Sequence, residues 1–104
     1  MTAKKATSNR HNARRAAVQA LYQWDLTKQA AEDIEKQFSQ IHDMQNVDRK
    51  YLRAIMAELP AQASELEASI KPHIGREFSS LDPVERAILR LGAFELHNLS
   101  LIHI

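Results

Sequence analysis

Around the segment from Val84 to Leu96, the apolar residues Val84, Ala87, Ile88, Leu89, Leu91, Ala93, Phe94 and Leu96 cover most of the circumference of a helix, interrupted only by Glu85, Arg86, Arg90, Glu95 and His97. A helix apolar on nearly all sides needs neighbours on several of them, so this segment predicts the centre of a helical packing unit. Its beginning is written into the sequence: Asp82 as N-cap, Pro83 at the first helical position and Glu85 at the third form a capping box with a proline start. The chain stops at Ile104, eight residues past Leu96. Further packing partners for this helix are therefore expected outside this chain or from another one. Arg86 and Arg90, one turn apart, read as solvating the exposed side of an otherwise apolar helix.

The preceding segments carry the same helical period. Ala13, Ala17, Ala20, Leu21 and Trp24, at steps of three and four, predict the inward stripe of a first helix over residues 9–26. Ile34, Phe38 and Ile41 predict the inward side of a second helix over 30–41, with Glu32, Asp33, Glu35 and Lys36 toward water. Asp48 reads as an N-cap, with Val47 and Leu52 as the hydrophobic staple around it. The series Leu52, Ile55, Met56, Leu59, Ala63, Leu66 and Ile70 then runs through Pro60, which is expected to break or kink the helix near Glu58. A turn is expected at Lys71-Pro72-His73-Ile74-Gly75, with a short helix ending at Ser80. The fold class is all-α.

Charge divides the chain. The first twenty-four residues hold Lys4, Lys5, Arg10, Arg14 and Arg15 and no acid, whereas the remaining eighty hold nine Lys or Arg against thirteen Asp or Glu. A net charge of +1 thus hides an end of +5 and a body of −4. Cations concentrated at one end suit a polyanion, because each one placed near a phosphate releases condensed counterions. Arg10, Arg14 and Arg15 also sit on the first turns of the expected helix, whose positive dipole end they aggravate, so local stability does not account for them. Residues 1–9 are expected to form a flexible basic arm and 10–98 the helical domain.

At 104 residues the chain supports one domain at most, burying about two-thirds of its unfolded surface. It has no cysteine, which removes disulfides and thiolate metal sites, and no apolar run approaches a membrane span of about 20 residues. A cytoplasmic location is expected. His11, His42, His73, His97 and His103 lack ligand spacing, and Gly75 and Gly92 stand alone, so neither a metal site nor a phosphate loop is expected. Neither a cofactor nor catalysis is expected.

Two stretches together resemble one family: Arg10-His11-Asn12-Ala13-Arg14 leading into Ala17-Val18-Gln19-Ala20-Leu21-Tyr22-Gln23-Trp24, and Leu81-Asp82-Pro83-Val84-Glu85-Arg86 continuing to Leu96. They are similar to the NusB family of transcription antitermination factors, and the likeness extends more loosely through the middle of the chain. It lapses near residue 98, where residues 99–104 depart from the family's pattern and the family's last helices are missing. The resemblance implies a helical bundle without enzymatic activity that pairs with NusE, a small-subunit ribosomal protein. That pair binds the boxA element of nascent RNA within an antitermination complex on RNA polymerase, chiefly on ribosomal RNA operons.

The family's arginine-rich start maps onto Arg10, Arg14 and Arg15, with His11 and Asn12 standing where other members often carry Arg or Lys. Together with the charge reading, this makes Lys4, Lys5, Arg10, His11, Arg14 and Arg15 the expected RNA-binding residues. Tyr22 and Glu85 fall on family positions that contact the partner, while a second partner-contacting acid falls on Ser79. An alternative is a NusB-like N-terminal RNA-binding domain of an RNA cytosine methyltransferase. A third is a helical adaptor without nucleic acid.

Overall fold

The computed structural model describes residues 3–103, with side chains from residue 5 to residue 98. Those residues form five α-helices: α1 (Ala3–Thr27), α2 (Ala31–Ile41), α3 (Arg49–Glu58), α4 (Ala63–Ile74) and α5 (Pro83–His103), with single 3-10 turns at Pro60–Gln62 and Phe78–Ser80. The all-α expectation holds, and the local breaks follow identifiable residues. Pro60 separates α3 from α4 as its missing N–H requires. Gly75, at φ 66°, closes α4 in the left-handed region that glycine adopts without strain.

Pro72 lies inside α4 instead of ending it. The turn expected from Lys71 onward therefore begins only at Gly75; a proline late in a short helix removes one backbone bond, and the glycine supplies the stop. α1 likewise begins six residues before its expected start at residue 9. Residues 3–8 contain neither Gly nor Pro, and the Asn9 carbonyl accepts the Asp48 N–H at 3.0 Å, tying this end to the start of α3. Lys28, in left-handed conformation at φ 61°, terminates the helix and donates its N–H to the Trp24 carbonyl at 3.0 Å.

Both predicted N-caps are present. Asp48 Oδ1 accepts the Tyr51 N–H at 3.0 Å, and Asp82 Oδ1 accepts the Val84 N–H at 2.8 Å. The reciprocal half of the second capping box is missing, because the Glu85 side chain is exposed and makes no hydrogen bond or ion pair among the described residues. Glu85 is thereby left for other contacts.

One buried cluster draws on all five helices, with α1 packed directly on α2, α3 and α5. Ala13, Ala17, Ala20 and Leu21 are buried against Ile34 of α2, Leu52, Ile55, Met56 and Leu59 of α3 and its end, Leu66 of α4, and Ala87, Leu91 and Phe94 of α5. Alanines along α1 let neighbouring helices approach closely, and its longest contact is with α5. A smaller cluster of Ile70, Phe78 and Leu81 seals the other side of α4 and α5. Two assignments on α2 differ from expectation. Ile41, in the last turn, is 77% exposed, because the helix ends there beyond the reach of α3. Glu35, expected in water, is buried and meets Arg53 Nε at 3.5 Å and the Ser39 hydroxyl at 3.3 Å.

α5 is flanked by α1 and by α4, with Val84, Ile88 and Leu96 left exposed. Between α4 and α5 runs a groove of about 730 Å³ with Ile70, Ile74, Ile88, Leu89 and Leu96 in its walls. The all-round apolarity of this segment is thus satisfied on two sides.

Candidate RNA and partner interface

The expected RNA-binding side chains divide between two faces of α1. Arg10 and Arg14, spaced four apart, share one flank; His11 and Arg15, also four apart, share another. The second pair is exposed and has no partner among the described residues. Tyr22, at 38% exposure, continues that second face at the next seven-residue step. Lys5 is exposed, while the side chain of Lys4 lies outside those described. Asn12, on the side toward the loop before α3, donates its amide to the Asn46 carbonyl at 2.9 Å.

Arg10 and Arg14 are engaged within the molecule. Arg10 Nη2 lies 3.6 Å from Asp48 Oδ2, and its guanidinium covers the Tyr51 ring at 4.4 Å from the centroid. Arg14 Nε donates to Glu95 Oε2 at 2.7 Å, and the Tyr51 hydroxyl donates to the same carboxylate oxygen. The Glu95 hydrogen bond and charge raise the Arg14 pKa against the opposing effect of burial. Burial and the bond to Glu95 push the Tyr51 hydroxyl up to about 12, so it remains a neutral donor throughout the ordinary pH range.

A second charged cluster joins the end of α1 to the start of α5. Asp25 Oδ2 accepts Arg86 Nε at 2.7 Å and lies 3.1 Å from Arg90 Nη1. Arg86 Nη1 also donates to the carbonyls of Leu81 at 2.7 Å and Ser79 at 3.3 Å. Arg90 Nη2 donates to Glu67 Oε1 at 3.2 Å, and the guanidinium lies 5.4 Å from the Trp24 ring and 5.0 Å from that of Phe78. Its Nε and Nη1 have no hydrogen bond of good geometry, so the approach of Nη1 to Asp25 is an attraction between charges and not an aligned bond.

The solvating role expected for Arg86 and Arg90 is therefore incorrect. Arg90 is 6% exposed, and both arginines turn inward to Asp25. This cluster also bears on the expected partner surface. Tyr22 precedes Asp25 by three residues and Glu85 adjoins Arg86, so the Asp25–Arg86 bond fastens the turns that carry them.

Sequence reasoning singled out neither Tyr51, Asp48 as an ion partner, Glu95 as the Arg14 partner, nor Asp25. Two signals were available: Glu95 is an acid on a largely apolar helix, and Asp25 is the first acid in the chain. Among the described residues no group of His, Cys, Asp or Glu is arranged to hold a metal ion. No described helix is long and apolar enough to cross a membrane.

The NusB family model matches residues 11–103. The transcription antitermination protein NusB of Hahella chejuensis is 40% identical over 94 residues, covering 90% of this chain and 63% of the relative. Its Legionella pneumophila (strain Corby) counterpart is 39% identical over 93 residues, covering 89% and 63%. That of Alcanivorax borkumensis is 45% identical over 89 residues, covering 86% and 59%. The aligned part thus spans about 63% of the length of the first two relatives. A model matching nearly the whole sequence, with relatives at this identity, places the chain in the NusB family.

Proposed function

We propose that this chain carries the RNA-contacting and NusE-contacting part of a transcription antitermination factor that acts in the cytoplasm on boxA-type single-stranded RNA, within a complex on RNA polymerase. The observation that carries this reading is the exposed face of α1, where His11 and Arg15 lead to Tyr22 beside the α5 start that bears Glu85. Family membership supports the assignment. Phosphate contacts from Lys4, Lys5, Arg10, Arg14 and Arg15 position the strand, with His11 at its edge. Choice among sequences in single strands needs base stacking or edge contacts. Few such groups stand on this face, so the partner supplies much of the discrimination.

Tyr22 offers a rigid aromatic surface with a polar tip, and Glu85 a carboxylate free of intramolecular partners among the described residues; together they suit a basic ribosomal protein. The test is a titration of fluorescent boxA RNA with the chain alone and with NusE. Tyr22→Ala combined with Glu85→Lys is expected to weaken NusE binding and leave the low RNA affinity of the free chain nearly unchanged. NusE affinity equal to wild type in that folded variant would overturn the partner surface. Strong preference of the isolated chain for boxA over a scrambled RNA would overturn the division of roles.

A further inference from the structure

Arg10 and Arg14 meet two carboxylates fixed by other elements of the fold. Asp48 is held as the N-cap of α3: its Oδ1 accepts the Tyr51 N–H, leaving Oδ2 toward Arg10 at 3.6 Å. Glu95, on α5, is held by the Tyr51 hydroxyl while the same oxygen receives Arg14 Nε at 2.7 Å. Each carboxylate therefore has an anchor independent of its arginine and stays in place when the arginine swings away. Two guanidinium groups and two carboxylates cancel, so an approaching phosphate meets no net charge from this cluster.

We propose that Asp48 and Glu95 are built-in competitors of the RNA phosphates, so that binding exchanges the carboxylate partners of Arg10 and Arg14 for phosphates of the strand. This rests on the RNA-binding reading above. The arginine side chains are 52% and 41% exposed and their carboxylates 28% and 20%, so each pair is open to solvent and salt from its arginine side. The exchange is therefore accessible. Its effect is to lower affinity for any isolated phosphate and to favour a strand that engages both arginines together with Arg15, which has no partner among the described residues.

The test is Glu95→Gln in the whole chain, with a single-stranded boxA RNA followed by fluorescence anisotropy at two salt concentrations. The amide oxygen still accepts the Tyr51 hydroxyl, and the charge is gone. RNA affinity at low salt is expected to rise about five-fold, the equivalent of one exposed ion pair. The plot of log K against log salt is expected to steepen by roughly 0.7 for the one net charge gained. Arg14→Ala with Glu95→Gln is expected to bind no better than Arg14→Ala alone.

Unchanged or weaker RNA binding by folded Glu95→Gln would overturn the inference while leaving the RNA reading intact. Failure of the wild-type chain to bind RNA in the same titration would overturn both. If Glu95→Gln does not fold, Asp48→Asn decides, since Asn keeps the cap and releases Arg10: tighter RNA binding upholds the competition, and no gain rejects it.

Discussion

Asp25, the one acid of α1, meets three cations: Arg86, Arg90 and, at 3.9 Å, Lys28. Burial alone would raise its pKa, but the hydrogen bond from Arg86 and the charge of Arg90 outweigh burial and hold it below the ordinary value of 3.8. The ionised form is thus favoured by folding. Its contribution is complete above 3.8 and disappears as pH falls through the lowered folded value. Acid unfolding followed by circular dichroism is expected to move to higher pH in Asp25→Ala. The same substitution leaves the buried Arg90 charge with Glu67 as its remaining carboxylate, so at neutral pH it is expected to cost about 3 kcal/mol in urea unfolding, at the lower end for a broken buried pair. Stability equal to wild type would show that the cluster is solvated. Helical period could not reveal these roles for Arg86 and Arg90, because spacing shows that they share a face but not what that face meets. Their partner lies 61 residues before Arg86.

Among the elements, α5 gives the sharpest contrast between local and tertiary information. Its start was readable from Asp82 and Pro83, since a cap and a fixed φ act within one turn. Asp82→Ala is expected to lower stability by about 1 kcal/mol, measured by thermal melting. Glu85→Gln is expected to change the same melt little, because the reciprocal cap bond is absent and about 0.3–1 kcal/mol of charge-dipole interaction is at stake. Gly92 stands exposed in mid-helix with no atom within 4 Å of a Cβ built there. Gly92→Ala is accordingly expected to stabilise the chain by about 1 kcal/mol; a loss of stability would mean that another surface already occupies that space. α1 shows the converse case. Its apolar stripe starts at Ala13, so periodicity does not reveal the turns over residues 3–8, of which residues 5–8 are exposed.

At the scale of the molecule, the polarity of charge was visible in the sequence and its cancellation was not. Five cations engaged with single-stranded RNA would give a salt slope of roughly −3.5. With Asp48 and Glu95 offsetting two of them, wild-type chain is expected to show a slope of roughly −2, and replacing Arg10, Arg14 and Arg15 by alanine to flatten it further. A slope untouched by that triple substitution would remove α1 from RNA binding. The cancelling carboxylates were hidden because they come from α3 and α5, whose placement against α1 depends on the whole bundle.

The pairing of the first helix with the last also orders events during synthesis. Glu95 follows Arg14 by 81 residues, and Arg86 follows Asp25 by 61. At about 5–20 residues per second, Glu95 is added roughly 4–16 s after Arg14. Until then the growing chain holds its most cationic helix without the α5 carboxylate that restrains it, beside a ribosome that is itself a polyanion. The arrival of α5 both completes the core around Ala17 and Leu21 and withdraws Arg14 from indiscriminate contact, so maturation of the fold and restraint of its charge are one step.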